Sequence, residues 1–252
     1  MNTRWIIESH DTVTSTMDLA RERVRAGAGD GLVVVAREQT AGRGRRGSRW
    51  ESPSGGLWVS VVVRPDRGTA SSLTVAAALA AAVACWRVTG VNVRVKWPND
   101  LYLSDAKVGG VMGETVGALV ILGVGINANV TREFVPSVEH YRTTSLRVAT
   151  GAAVDLTALL DAFLEELDAR AGVVGGEGLP GLVAEWRSRS AELGRRVIAE
   201  RDGRTVRGRA TAIQDDGSLV VETDGDTIIL APHGDVSLGL LAKGRPRAEE
   251  GT

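Results

Sequence analysis

The sequence predicts an α+β protein: a mixed or antiparallel sheet packed with helices, followed by a small C-terminal β module. Through residues 1–192, apolar runs of strand length alternate with stretches whose apolar residues recur at helical spacing. A long Ala- and Val-rich run, Leu73 to Val88, reads as a core helix among them. From Arg196 onward the pattern changes to short strands punctuated by Asp202-Gly203, Asp216-Gly217 and Asp224-Gly225, all turn dipeptides. The expected division is therefore residues 1–192, a β module over residues 193–243 and a polar tail over residues 244–252.

The first helix is predicted from about Thr16 to Ala26, with Thr14, Ser15 or Thr16 at its N-terminus and Gly27 as its stop. Leu32 to Ala36 reads as a buried strand. A basic loop follows, broken by Pro53 and Gly55-Gly56, and Leu57 to Val63 is again strand-like before Pro65. The core helix starts at Ser71-Ser72 as caps and stops at Gly90. Val91, Val93, Val95 and Trp97 then alternate with Asn92, Arg94 and Lys96, the period of a half-buried strand, which Pro98-Asn99-Asp100 ends. Leu101 to Leu103 and Lys107 to Glu114 flank a Ser104-Asp105-Ala106 turn as a hairpin, and Ala118 to Ile126 is a further strand. Behind Asp155, a good N-cap, Leu156, Leu159, Leu160, Phe163, Leu164 and Leu167 fall at helical spacing; another helix covers Leu182 to Arg189.

Composition removes several classes of function. Thirty Lys and Arg against 31 Asp and Glu leave a net charge of -1, unlike a general nucleic-acid binder. The single cysteine, Cys85, lies in the apolar helical run, so neither a disulfide framework nor a thiolate metal site is available, and a reducing cytoplasm is expected. The N-terminus reaches Glu8 before an apolar segment of signal-peptide length forms. Leu73 to Val88 is short for a bilayer and interrupted by Trp86-Arg87, so no membrane span is expected.

Charge is concentrated in one place. Gly42 to Trp50, Gly-Arg-Gly-Arg-Arg-Gly-Ser-Arg-Trp, holds four arginines and no acid. Guanidinium groups on a glycine-rich backbone suit phosphate or carboxylate. The segment matches G-x-G-x-x-G, yet Arg49, Trp50 and Pro53 follow where the dinucleotide fold requires a helix. It also lacks the Gly-Lys of a P-loop, since Arg46-Gly47 precede Ser48. No G-x-S-x-G, no H-E-x-x-H and no cluster of His10, His140 and His233 is present, so hydrolase and zinc readings lack their residues.

Five ordered motifs resemble the biotin protein ligases. They are Ser15-Thr16 before a helix, Gln39 to Trp50, Lys96-Trp97-Pro98-Asn99-Asp100-Leu101, Lys107-Val108-Gly109-Gly110 and Gly123-Val124-Gly125-Ile126-Asn127. The resemblance implies a class II synthetase-like catalytic domain and an SH3-like C-terminal barrel. It implies activation of biotin by ATP to biotinyl-5′-AMP with loss of pyrophosphate, then transfer to a lysine of a carboxylase carrier domain. ATP and biotin are then substrates with Mg²⁺ and no tightly bound prosthetic group, in a monomer or homodimer.

By the same resemblance, Ser15, Thr16, Gln39, Gly42, Arg43 and Gly110 bind biotin. Arg45, Arg46, Trp50, Lys96, Asn99, Asp100, Lys107 and Asn127 bind ATP or the adenylate, Asp100 is the magnesium contact, and Arg43, Arg45 and Lys107 are catalytic. Each also has an ordinary reading. Ser15-Thr16 suits an N-cap, Asn99-Asp100 and Asn127 suit turns, Lys96 and Lys107 suit solvated strand positions, and Trp50 suits a core cover. Met17 departs from the asparagine that family members commonly carry after the Ser-Thr pair. The chain starts almost at the catalytic pattern, so no DNA-binding repressor role is expected. A lipoate-type acyl transferase and a non-catalytic polyanion-binding module are the alternatives. The first would not be expected to combine the Gly-Arg-Gly-Arg loop with Lys-Trp-Pro-Asn-Asp, and the second fits poorly with 4% aromatic residues and balanced charge. The loop is expected to order over its ligand.

Overall fold

A computed structural model describes residues 4–66, 69–133, 142–201, 204–232 and 236–240. The Asp202-Gly203 turn, His140, His233 and the polar tail lie outside the described residues. In chain order the first elements are β1 (Ile6–Val13), α1 (Thr16–Arg25), β2 (Leu32–Gln39), β3 (Leu57–Val63), α2 (Ala70–Thr89), β4 (Arg94–Lys96), β5 (Asp100–Leu103), β6 (Ala106–Val116) and β7 (Leu119–Ile126). They continue as β8 (Arg142–Thr143), α3 (Leu146–Thr150), α4 (Leu156–Glu177), α5 (Pro180–Arg189), β9 (Arg196–Arg201), β10 (Arg204–Ile213), β11 (Leu219–Glu222), β12 (Thr227–Leu230) and β13 (Val236–Leu240).

The main sheet has the order β1-β2-β3-β7-β6-β5-β4, with β8 beside β6. It is mixed: β1 runs parallel to β2 and β8 to β6, and the other neighbours are antiparallel. Helices cover both faces. On one face Val33, Val61, Leu122 and Val124 join α2 and α4 in the larger core; on the other Leu32, Val34, Val62 and Ile121 pack on Met17 and Ala20 of α1. Burial on both faces explains why β2, β3 and β7 read as unbroken apolar runs.

The core helix α2 is enclosed on every side from Ala76 to Ala82, all fully buried, and emerges only at its end, where Trp86 is exposed. Alanines there let α4 approach closely. α2 is long and apolar enough to cross a membrane by composition, but it is a buried core helix. Its cap is Thr69, not the expected serine pair: Thr69 and Ser72 form a reciprocal capping box, and Gly90 ends the helix in the left-handed region.

The C-terminal strands form a separate antiparallel sheet of order β12-β11-β10-β9-β13. It is tied to the preceding part of the chain by Trp97, whose Nε1 donates to the Gly217 carbonyl at 2.9 Å, and by Arg187, whose Nε donates to the Ile213 carbonyl at 2.7 Å.

Candidate active site

Strand register builds the site. On the α1 face of the main sheet, Gly125 of β7 lies opposite Gly110 of β6, Gly110 opposite Asp100 of β5, and Asp100 opposite Lys96 of β4. Directly opposed residues share a face, so two missing side chains leave a hollow that a carboxylate and an ammonium border. The next row, Ser60, Gly123 and Met112, continues the hollow toward the N-terminus of α1. The result is a cleft of about 460 Å³, lined among others by Ser15, Thr16, Gln39, Arg43, Arg45, Trp50, Lys96, Asn99, Asp100, Lys107 and Gly110. Its size is that of a small-molecule site.

Lys107 reaches this face through an irregularity. Leu101 pairs with Gly109 whereas Tyr102 pairs with Lys107, so Val108 is an extra residue in β6. A regular strand would place Lys107 and Gly110 on opposite faces; the bulge puts both on the cleft side. Lys107 Nζ lies 2.7 Å from Asp100 Oδ1, and Lys96 Nζ lies 3.9 Å from Asp100 Oδ2. Lys96, expected on the solvated side of its strand, is 7% exposed and sits over the Tyr102 ring. Burial holds its pKa below the usual lysine value, Asp100 and Glu192 oppose that, and the Lys107 charge adds to it.

The other end is uncharged and polar. Thr16 donates to Gln39 Oε1 from its backbone nitrogen at 2.8 Å and from its hydroxyl at 3.1 Å. Ser60 Oγ donates to Thr16 Oγ1 at 2.8 Å, and Gln39 Nε2 donates to Ser52 Oγ at 2.7 Å. Ser15 is the N-cap of α1, its hydroxyl accepting from the Asp18 nitrogen at 3.5 Å. The capping reading and the cleft position thus hold together for Ser15.

The arginine loop forms the rim between the two ends. Arg43 is ion-paired with Asp18, which also pairs with Arg21, and Arg21 is held by Glu114. The acid that the loop itself lacks comes from α1, a contact the local sequence does not display. Arg45 Nη1 donates to Asn99 Oδ1 at 3.0 Å, while Asn99 Nδ2 donates to the Val111 carbonyl. The Trp50 indole lies against Gly125, where any Cβ would fall 2.7 Å from Nε1, and Lys107 Nζ stands 5.1 Å from the Trp50 ring centre.

Three expected contacts are placed differently. Gly42 is buried beneath the loop: a Cβ there would strike the Trp50 carbonyl and Ser52 Oγ, so the glycine serves the loop's own closure. Asn127 is 1% exposed, donates to the Thr144 carbonyl at 3.1 Å and is not among the residues that line the cleft. Asp100 gives its carboxylate to two ammonium groups, whose charge opposes a magnesium ion at the same oxygens. The Arg46 side chain lies outside the described residues. Among the described residues no group of three or more His, Cys, Asp or Glu could hold a metal. Cleft residues outside the five motifs are Val59, Val111, Met112, Leu238 and Met17, the last of which fills the space beside Gly123.

Comparison with known proteins decides the family. The Biotin/lipoate A/B protein ligase family matches residues 10–129, and the Biotin protein ligase C terminal domain matches residues 193–239. The biotin--[acetyl-CoA-carboxylase] ligase of Mycobacterium tuberculosis is 32% identical over 236 residues, covering 89% of this chain and 85% of that protein. The chain belongs to the biotin protein ligase family. This biotin protein ligase is also 32% identical to the bifunctional ligase/repressor BirA of Bacillus subtilis, over 85% of this chain and 69% of the relative. A biotin protein ligase from Aquifex aeolicus, solved in complex with biotin and ATP, matches with a TM-score of 0.84 at 27% identity, covering 93% of this chain and 99% of that one.

Proposed function

We propose that this biotin protein ligase works in two steps within the one cleft. A biotin carboxylate oxygen attacks the α-phosphorus of ATP, forming biotinyl-5′-AMP as pyrophosphate leaves. The amine of a lysine on a carboxylase carrier domain then attacks the activated carbonyl, forming an amide as AMP leaves. The observation that carries the reading is the polarity of the cleft: a neutral hydrogen-bonding end at Ser15, Thr16 and Gln39, a cationic end at Lys96 and Lys107, and the arginine loop between them.

The ureido ring fits the neutral end and the phosphates the cationic end. Adenylation of a weak nucleophile depends chiefly on alignment and on neutralising charge. Arg43, Arg45 and Lys107 supply that charge, and Asp100 holds Lys107 and Lys96 in place until phosphate oxygens replace it. Trp50 offers a flat face for the adenine. Magnesium enters with the triphosphate, coordinated mainly by phosphate and water, as is usual for this ion. The loop orders over the adenylate and shields the mixed anhydride from water. Residues 1–192 form the catalytic domain and residues 193–243 a β module, in a cytoplasmic enzyme. The repressor half of the bifunctional relatives' names is not carried over to this chain.

Incubation with ATP, Mg²⁺, labelled biotin and a biotin carrier domain tests the reading. Label on the carrier lysine is expected. Folded protein that leaves the carrier unlabelled, or that labels it from lipoate in preference to biotin, overturns it.

A further inference from the structure

Behind the cationic end lies a carboxylate outside the five motifs. Glu192 is 0% exposed and sits in the segment that leads from α5 into β9. That segment runs along the edge strand β4: Ser190 pairs with Val95, the Ala191 nitrogen donates to the Val95 carbonyl at 3.0 Å, and Arg94 Nη1 donates to the Ser190 carbonyl at 3.0 Å. Glu192 Oε2 accepts from the Trp97 nitrogen at 3.2 Å, whereas Oε1 is buried without a hydrogen-bond partner.

The backbone bond alone does not account for this residue. An amide oxygen would accept from Trp97 without bringing a carboxyl group into the interior, and an unpartnered buried oxygen is costly. Ser190 Oγ accepts from the Glu192 nitrogen at 3.3 Å, and after burial and these local hydrogen bonds the cation that acts on the Glu192 carboxylate is Lys96, the residue before Trp97. Lys96 in turn faces Asp100 and Lys107, and the flanking arginines are engaged elsewhere, Arg94 with Ser190 and Arg195 with Asp105. Resting on the ligase reading above, we propose that Glu192 is a positioning residue for the nucleotide: it pins the Trp97–Asp100 turn and keeps the Lys96 ammonium charged and directed at the phosphates. Desolvation by burial pushes the Glu192 carboxyl up to about 7, so its charge is available only above neutrality.

Glu192→Gln keeps the acceptor for Trp97 and removes the charge. In steady-state adenylation, its KM for ATP should exceed wild type about tenfold near pH 8.5 and agree within about twofold near pH 6, where the wild-type Glu192 is itself mostly protonated and as neutral as the glutamine. The KM for biotin should stay within about twofold of wild type at both pH values. In a Lys96→Gln background, Glu192→Gln should add nothing further to the KM for ATP. Equal ATP affinities for Glu192→Gln and wild type at high pH, additivity with Lys96→Gln, or loss of biotin binding each overturns the assignment. Wild-type protein that forms no biotinyl adenylate would instead overturn the ligase reading.

Discussion

At the scale of single residues, the cleft shows which ordinary readings of the sequence fail and why. Arg45 is held toward the site by Asn99, and Asn99 by the Val111 carbonyl, so a basic loop residue has a fixed direction. Arg45→Ala should lower the rate of biotin adenylation by roughly 100-fold, about the 3 kcal/mol that one preorganised donor supplies; single-turnover formation of biotinyl-5′-AMP measures it, and a native rate contradicts the phosphate role. Glu192 gives a prediction of a different kind. Its folded pKa of about 7 lies above the ordinary 4.5, so folding favours the protonated form. That stabilisation is complete below pH 4.5 and is lost as pH rises through about 7. A group that cannot ionise escapes the loss, so Glu192→Gln should be the more stable protein above pH 7, by up to roughly 3 kcal/mol, and nearly equal to wild type at about pH 4. Thermal melts at both pH values check it. Greater stability with poorer nucleotide binding is the expected trade at a functional position. Lys96 was legible as a strand residue facing away from Val95, but not as buried, because burial depends on what covers that face.

At the scale of elements, patterns governed by local rules were readable and those governed by tertiary pairing were not. The α1 and β3 spans follow from caps, stops and apolar runs, and observed Thr16–Arg25 and Leu57–Val63 agree with them. The strand predicted over Val91 to Trp97 is only Arg94–Lys96, since Pro98 and an edge position limit its ladder. β1 gave little signal: Glu8, Ser9, His10 and Asp11 make Ile6–Val13 look like a loop, and only the parallel partner β2 makes it a strand. The Val108 bulge is likewise invisible in one chain, although it decides which face Lys107 occupies. Glycines spaced by two on β7 were the legible trace of the hollow, because Gly123 and Gly125 leave the cleft face bare. Gly125→Val should displace Trp50 and the loop, cutting adenylation at least about tenfold while the far-UV circular dichroism stays native; an unchanged rate would show that Trp50 does not depend on that seat.

At the scale of the whole molecule, the cleft is completed by residues far apart in sequence. Leu238 of the C-terminal sheet lines it, Trp97 binds the Gly217 carbonyl, and Glu192 from the connecting segment holds the turn that carries Asn99 and Asp100. The motif order along the chain revealed the family, but the contribution of the C-terminal sheet could not be read from motifs, since it rests on packing between segments more than 100 residues apart. In the proposed reaction one cleft presents biotin to ATP, neutral end to cationic end. Biotin-dependent exchange of labelled pyrophosphate into ATP tests that claim most directly, because it reports adenylate formation without any carrier protein. Exchange is expected to require biotin, to saturate with both substrates and to fall in Arg45→Ala. Absence of exchange by folded protein, or exchange that proceeds equally without biotin, would contradict it.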